Sequence, residues 1–539
     1  MSSYNVKRFR NFFEENFAYI KNFMRNVERY PDYTALIDGE NGEVWTYAQL
    51  NETVNRFANA FLSKGVSAGD VVVYQLLNRP EFAFIYLACQ KIGAVNCPVN
   101  FRLASGETAL ILEDSRPKMF LYDESFAQES ERALEISHYN PELVFKIKSA
   151  DFSKLYDDSA PEEPNTTFIP GAFEEVTRLY TSGTTGLPKG VPLNNINEIL
   201  TAHDVIMHLG LSDKDRLLNL SPWFHRGGIH IGGPNPGLYA GASLVAMKGF
   251  LPKEALDIIQ KYSVSVVIGV PAMFTLMLEE QEKKKNDLSS LRAVVSMGAP
   301  LEKKLCTKMQ DVFTPNVYNG YGTSETFWNT LLRPEDLPEM AGSAGKSCVF
   351  DSIRVVKVYD DKLAEPTDTV ANNNEEVGEV IIQTFKTSMD YFKKPEEVKQ
   401  KFYKGWFYTG DLAVWDSKRY ISIRGRKDDM INVGGENIYP TQIEEAINEC
   451  DLVSDCAVVG VYDEKRGNSI AAYVVGKDEN ISLGELKDFI KNHPMIPVYK
   501  RPRYYRIIGE LPMTATGKKQ HYKLREQAKD DLDKGLLLR

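Results

Sequence analysis

Between positions 180 and 191 the chain reads Tyr180-Thr181-Ser182-Gly183-Thr184-Thr185-Gly186-Leu187-Pro188-Lys189-Gly190-Val191. Glycines let the backbone approach phosphate oxygens closely, hydroxyls and amides donate to those oxygens, and the lysine supplies charge. The string is not a Walker loop, in which a hydroxyl residue follows the lysine; here Gly190 follows it. Its chemistry is that of a loop built to hold a polyphosphate.

Four more strings carry charged groups beside glycine. They are Gly320-Tyr321-Gly322-Thr323-Ser324-Glu325, then Trp406-Phe407-Tyr408-Thr409-Gly410-Asp411, then Gly425-Arg426-Lys427-Asp428-Asp429-Met430-Ile431 with Gly434-Gly435-Glu436 soon after, and Pro512-Met513-Thr514-Ala515-Thr516-Gly517-Lys518. Alone, each is ordinary: Glu325 would be a solvated carboxylate, Asp411 a turn residue and Lys518 a solvated lysine. In this order, the five strings resemble the motifs of the adenylate-forming superfamily, which contains acyl- and aryl-CoA synthetases, luciferases and peptide-synthetase adenylation domains. They span residues 180 to 518, most of the chain.

The resemblance implies an acid:CoA ligase. A carboxylate is a poor electrophile, so its oxygen first attacks the α-phosphorus of ATP and expels pyrophosphate; the acyl-adenylate then passes to the thiol of coenzyme A. Preorganised donors must stabilise the charge that grows on phosphorus and leaving group. By resemblance, Thr181, Ser182, Gly183, Thr184, Thr185, Gly186 and Lys189 hold the β- and γ-phosphates, and Ser324 touches the α-phosphate. Glu325 offers Mg²⁺ a hard oxygen. Tyr321 and Gly322, with Gly298, Ala299, Pro300 and Gly320, lie around the adenine; Asp411 and Arg426 take the ribose. Lys518 bridges carboxylate and α-phosphate in the adenylation step. Its neighbours Lys519 and His521 depart from the family, which more usually has a hydrophobic residue and an arginine there. For the thioester step, Asp428 maps to the hinge of a mobile C-terminal domain, Gly434 and Gly435 to a pantetheine tunnel, and Tyr499 and Arg501 to a CoA nucleotide contact.

The run Pro222-Trp223-Phe224-His225-Arg226-Gly227-Gly228 resembles the segment whose aromatic residue gates the acyl site. His225 matches the gate. Gly227, Met297, Gly320, Phe327 and Trp328 are expected to line the pocket, the glycines leaving space and the two aromatics adding flat apolar surface suited to a ring. Arg226 could steer a second carboxylate, but an arginine turned toward solvent is preferred. The expected substrate is an aromatic, alicyclic or medium-chain acid. The alternative is a stand-alone adenylation enzyme that loads a carrier protein; it shares all five motifs, and the Tyr499–Arg501 segment leans toward CoA.

These groups must be carried by elements, and the pattern names them. Val71–Leu77 and Met119–Tyr122 read as strands around a helix at Glu81–Gly93. Ser243–Met247, Val264–Val270 and Leu291–Met297 are strands each followed by an amphipathic segment, which argues for parallel sheets covered by helices. From about Asp351 closely spaced strands with polar turns (Ile353–Tyr359, Gly378–Thr384, Trp406–Arg424) suggest a small β-barrel-like part. Capping-box spacings at Thr441/Glu444 and Ser482/Glu485, with strands Ala457–Val461 and Ile470–Val475, suggest an α+β end. The expected class is α/β. A large N-terminal adenylation domain spans 1–427, and a mobile C-terminal domain carrying the catalytic lysine spans 428–539.

Composition narrows the remaining classes. The 539 residues carry a formal charge of −10, which argues against a general nucleic-acid-binding surface. No apolar run reaches the roughly 18–20 residues of a membrane span. Residues Met1–Tyr30 carry charges throughout and form one or two amphipathic helices, expected to pack on the body rather than attach to a membrane. The six cysteines show no paired ligand spacing and the seven histidines no metal cluster, so the expected setting is the cytoplasm. Monomer and homodimer both remain open.

Overall fold

The computed structural model describes all residues except 1–4, 169–170, 183–187, 360–361, 434–435, 464–466, 479–480, 494–495, 497, 514–517 and 539; for Ser182, Asn432, Glu436, Asn437, Asp463, Gly467 and Tyr499 it describes the backbone alone. The chain forms two compact units, Met1–Ile353 with Ile382–Phe407, and Arg354–Ile381 with Tyr408–Arg539.

The first unit holds two large sheets. A nine-stranded sheet places Phe327–Leu332, Val317–Thr323, Ala293–Met297, Val266–Gly269, Arg216–Asn219, Ser243–Ala246 and Thr34–Asp38 side by side, with short edge strands at Lys346–Ser347 and Val44–Thr46. Its centre is parallel and its edges are antiparallel hairpins. A six-stranded sheet repeats the plan: Leu143–Lys146, Met119–Tyr122, Val71–Gln75, Val95–Pro98 and Glu175–Ser182 run parallel, and Pro188–Asn194 closes it as a hairpin. The sheets expected as parallel are thus mixed. Connecting helices carry the rule that makes a parallel centre buried on both faces. The helix Pro80–Ile92 starts on a proline, ends on the left-handed Gly93 (φ 75°) and buries every side chain but that of Glu81. Trp223 N donates to Asn78 Oδ1 (2.7 Å), tying its lead-in to the loop after Arg216–Asn219.

A five-stranded sheet orders Asp351–Val356, Gly378–Thr384, Trp406–Trp415 and Phe402–Tyr403, with Ile421–Arg426 also paired to Trp406–Trp415. The second unit adds a hairpin, Ile431–Val433 with Glu436–Ile438. It also holds a three-stranded sheet of Val453–Asp463, Gly467–Gly476 and Tyr504–Ile507, covered by the helices Pro440–Asn448, Leu483–Asn492 and His521–Asp533. The core under it includes Ile438, Ile443, Ile447, Val458, Val474 and Leu486. Ser482 caps its helix as expected, accepting from Glu485 N at 3.3 Å. Thr441 does not: the helix begins at Pro440, so Thr441 lies inside the first turn. The large sheets, the barrel-like strands and the small C-terminal layer together are the α/β architecture the sequence implied.

At the N-terminus, helix α1 (Val6–Asn16) buries no side chain. Helix α2 (Tyr19–Arg29) packs through Tyr19, Ile20, Phe23 and Asn26. Packing on the body is therefore correct for α2 and not for α1. No helix among the described residues is long and apolar enough to cross a membrane.

Candidate active site

In the first unit the two ends of the lysine-bearing string lie on paired strands. Glu175–Ser182 and Pro188–Asn194 pair so that Thr181 lies opposite Lys189; Gly183, Thr184, Thr185 and Gly186 fall outside the described residues, as does the Ser182 side chain. Lys189 is 9% exposed. Its ammonium is ion-paired with Glu397 and lies 5.8 Å from the ring centroid of Tyr391. The Tyr391 hydroxyl in turn donates to Glu325 Oε1 at 2.7 Å. Loop cation, phenol and the carboxylate expected to hold Mg²⁺ thus share one group of contacts. A half-exposed glutamate presenting a hard oxygen fits that ion.

Glu325 sits in the tight turn between Val317–Thr323 and Phe327–Leu332. Gly322 makes the turn possible: a Cβ there would lie 1.7 Å from the Phe327 carbonyl oxygen. Phe327 itself has a left-handed φ of 67°. The Thr323 and Thr326 hydroxyls lie 2.9 Å apart, and Thr326 donates on to Asn329 Oδ1 at 2.6 Å.

Arg226 does not turn toward solvent. It is 4% exposed, and its guanidinium donates to the backbone oxygens of Ser324 (2.7 Å), Glu325 (3.3 Å) and Lys386 (2.6 Å). The arginine therefore holds the turn that carries Ser324 and Glu325. Burial pulls its pKa down to about 10 against the opposing charges of Glu198 and Glu325, and it remains a cation at neutral pH.

The residues expected around the acyl group cluster at the carboxyl ends of neighbouring parallel strands, where α/β sheets commonly place ligands. Met297 ends one strand and is in register with Gly320 on the next; Gly298, Ala299 and Pro300 follow it, exposed. His225 leads the helix Arg226–Ile231 and is half-buried against Phe224, ring centroids 4.1 Å apart. The glycines leave room for protein rather than for an opening: a Cβ on Gly227 would lie 2.7 Å from Met297 Sδ, and one on Gly320 would lie 3.0 Å from the Trp328 ring. Nor are Phe327 and Trp328 plain apolar walls. The Phe327 ring is flanked by Arg226 at 5.8 Å and Lys386 at 5.5 Å, and Trp328 Nε1 donates to Asp204 at 2.8 Å.

Lys386, which the motifs did not single out, is fully buried between Asp204 (2.6 Å) and Asp351 (2.7 Å). Burial lowers its pKa, but the two carboxylates outweigh that and raise it. Asp204, His208 and Cys348 present donor atoms within 4.8 Å of one another; Lys386 and Trp328 hold Asp204 Oδ2, and Oδ1 faces His208 Nε2 at 3.5 Å. A second buried network joins Glu198 to Tyr86 (2.7 Å), His230 (2.9 Å) and Asn235 (2.6 Å).

In the second unit, Asp411 and Arg426 face each other across paired strands, with Arg426 Nη1 donating to Asp411 Oδ1 at 2.8 Å. Thr409 Oγ1 accepts from Asp411 N at 2.9 Å, and Glu379 accepts from Gly410 N at 3.0 Å, which fixes the turn that presents Asp411. Asp428 is exposed in a short 3₁₀ turn, Lys427–Asp429, and its carbonyl accepts from Arg525. Lys518 is exposed. The next residues anchor its loop: Lys519 pairs with Asp455 at 2.7 Å, and His521 with the buried Glu444 at 2.6 Å. Arg501 donates to the carbonyls of Ile496 (3.3 Å) and Lys491 (2.7 Å). Gly434, Gly435 and the Tyr499 side chain fall outside the described residues.

Comparison with known proteins places the chain. The family model "AMP-binding enzyme" matches residues 23–392, and "AMP-binding enzyme C-terminal domain" matches 442–518. The chain belongs to the AMP-binding, adenylate-forming enzyme family, in its AMP-forming acid–CoA ligase branch. It is 31% identical over 502 residues to the long-chain-fatty-acid–CoA ligase FadD13 of Mycobacterium tuberculosis (92% of this chain, 96% of that one). It is also 31% identical over 498 residues to a feruloyl-CoA synthase of an Amycolatopsis species (92% and 96%). The fatty acid–[acyl-carrier-protein] ligase ScoC of Streptomyces coeruleorubidus is 30% identical over 496 residues (90% and 92%). Among solved structures, the anthranilate CoA ligase AuaEII in complex with anthranoyl-AMP superposes with a TM-score of 0.85 at 27% identity, covering 96% of this chain and 98% of that one. The o-succinylbenzoate CoA synthetase MenE of Bacillus subtilis, in complex with ATP and magnesium ion, superposes with a TM-score of 0.80 at 28% identity (93% and 98%).

Proposed function

We propose that the enzyme converts a carboxylic acid, ATP and CoA to the acyl-CoA thioester, AMP and pyrophosphate through an acyl-adenylate, on an aromatic, alicyclic or medium-chain acid. The observation that carries this reading is the joint presence of the Lys189 hairpin, Glu325, Asp411 and Lys518 in a chain that CoA ligases match over nine-tenths of its length.

Each residue has a task in this reading. Lys189 exchanges Glu397 for the β- and γ-phosphates, while Glu325, steadied by Tyr391, offers Mg²⁺ a carboxylate oxygen. When bound, that ion neutralises the charge developing on the departing pyrophosphate. Ser324 donates to the α-phosphate, with Tyr321, Gly322 and Gly298-Ala299-Pro300 around the adenine. Asp411 accepts from the ribose hydroxyls, its orientation set by Arg426. Lys518 neutralises the attacking carboxylate and the α-phosphate. Asp428 is the hinge between the two half-reactions, and Gly434, Gly435, Tyr499 and Arg501 receive CoA. His225 gates the acyl site, lined by Gly227, Met297, Gly320, Phe327 and Trp328.

The test is pyrophosphate release with ATP and Mg²⁺ across benzoate, halobenzoates, cyclohexanecarboxylate and short and medium fatty acids, each with and without CoA. CoA-dependent turnover on a ring acid is the expected result. Turnover confined to linear acids would discard the use of Phe327 and Trp328 as a ring slot. Adenylate that CoA fails to discharge would favour carrier-protein loading, the activity for which ScoC is named.

A further inference from the structure

Every residue from Asn5 to Phe12 is exposed, and three of them are large and apolar: Val6 at 59%, Phe9 at 53% and Phe12 at 62%. At about 100° per residue, Val6, Phe9, Phe12 and Phe13 share one side of helix α1, with Arg8 and Arg10 at its two margins. Lys7 lies on the opposite side; Val6–Phe13 carries three cations and no acid, and Glu14 and Glu15 follow only in the last turn. Glu14 accepts a distant surface pairing from Arg10 at 3.8 Å, a contact of little strength.

A helix of 11 residues that fully buries no side chain gains little stability from packing; only Phe13, half-buried, stacks on Phe17 with ring centroids 4.6 Å apart. What holds it is hydrogen bonding at its two ends. Asn5 caps it, accepting from Arg8 N at 3.0 Å. Its end is pinned where Ala172 N donates to the Glu14 carbonyl at 2.8 Å and Lys21 Nζ donates to the Glu15 carbonyl at 2.9 Å. The Ala172 bond also brings Phe173, 61% exposed, to that end of the helix. The family match begins at residue 23, after this helix. Single exposed apolar residues are normal; an apolar stripe on a helix fixed with that stripe outward is a surface awaiting cover.

We propose that α1 docks the enzyme reversibly on an anionic membrane surface. The phenylalanines enter the boundary between headgroups and acyl chains, Arg8 and Arg10 at the stripe's margins meet the anionic headgroups, and Lys7 on the far side adds only longer-range attraction. An apolar face flanked by cations is the pattern of helices that lie in that interface, and 11 residues are too few to span. Charge argues for this occupant. A protein of net charge −10 is repelled by an anionic bilayer everywhere except at a local cationic patch.

The test is co-sedimentation of the full-length enzyme with phosphatidylcholine vesicles, with and without phosphatidylglycerol. Preference for the anionic vesicles by at least about tenfold is expected at low salt, weakening as salt screens the cations. The double variant Phe9→Ser/Phe12→Ser, and separately Arg8→Glu/Arg10→Glu, should each lose about tenfold in partitioning. Acid-dependent pyrophosphate release in vesicle-free solution should be unchanged, since these side chains touch nothing in the core. Wild-type enzyme that stays in the supernatant with anionic vesicles at low salt would overturn the proposal, as would undiminished binding by either variant. A dimer in size-exclusion that Phe9→Ser/Phe12→Ser converts to monomer would assign the face to a second copy instead.

Discussion

The Tyr391 hydroxyl donates to Glu325 Oε1 at 2.7 Å, while the same ring lies 5.8 Å from the Lys189 ammonium. One phenol thereby fixes the direction of the carboxylate assigned to Mg²⁺. Tyr391→Phe keeps the ring, which packs with Leu179, Val191 and Phe407, and removes only the donor. A hydrogen bond to a charged group contributes about 1.5–3 kcal/mol; with water able to replace part of it at a half-exposed site, the half-saturating Mg²⁺ concentration should rise roughly 3–10-fold. The KM for the acid should not move. Unchanged Mg²⁺ dependence in pyrophosphate-release assays would remove Tyr391 from this role.

Arg226 makes a second prediction. Its fork reaches three carbonyls, of Ser324, Glu325 and Lys386, which the single nitrogen of a lysine cannot serve together. Arg226→Lys should therefore leave one or two buried acceptors bare, at about 1–3 kcal/mol each, and let the Ser324–Glu325 turn drift. Misplacement by about 1 Å can cost on the order of 100-fold in rate, so kcat for adenylation should fall by 10- to 100-fold and Tm should drop. A variant that changed only the KM for the acid would show instead that Arg226 meets substrate.

What could be read from sequence follows from where the information lies along the chain. The strands Met119–Tyr122 and Gly378–Thr384 have the bounds their apolar runs imply, because burial of a short contiguous stretch is written locally. The five chemical strings were legible for the same reason. Arg226 and Lys386 were not: their partners stand 35 to 182 positions away, and no local spacing announces such buried cations. Tyr391 and Glu397 belong to the same group of contacts as Lys189 and Glu325 but sit outside every motif. Helices α1 and α2 are spelled alike, as charged amphipathic segments, and only the presence of a body beside α2 separates them. The misread start at Thr441 came from letting a capping-box spacing outweigh Pro440, a proline suited to the first helical turn.

The base of the Lys518 loop should be sensitive to pH. Burial lowers the pKa of His521, but its hydrogen bond and charge interaction with Glu444 outweigh this and raise it. Burial raises Glu444, and His521 and Lys519 bring it below its ordinary range. The histidine's contribution to stability is complete below its unfolded pKa of about 6.5 and is lost as pH rises through the raised folded value. The carboxylate's is complete above about 4.3 and is lost as pH falls through the depressed one. Stability of the wild type should therefore decline above about pH 6.5 by an amount that His521→Gln removes. Thermal melts from pH 5 to 9 on both proteins check this; parallel curves would show that the pair does not couple to folding.

Lys518 separates the two half-reactions. Its exposure, on a loop whose far side is anchored through Lys519 and His521 to Asp455 and Glu444, suits a cation that must reach a substrate rather than support the fold. Removing one donor aimed at developing charge costs about 2.7–4 kcal/mol, or roughly 100- to 1000-fold. Lys518→Ala should lose that much in adenylate formation, followed as acid-dependent pyrophosphate release. It should still convert a supplied acyl-adenylate and CoA to thioester, because the carboxylate charge the lysine offsets has already been consumed in forming the acyl–phosphate bond. Asp428→Pro should do the reverse, since a proline at the hinge stiffens the turn needed for the second step while leaving the first untouched. Equal loss of both half-reactions in Lys518→Ala would mean that the lysine holds the site together rather than acting in one step. Thioester formation surviving in Asp428→Pro would put the hinge elsewhere.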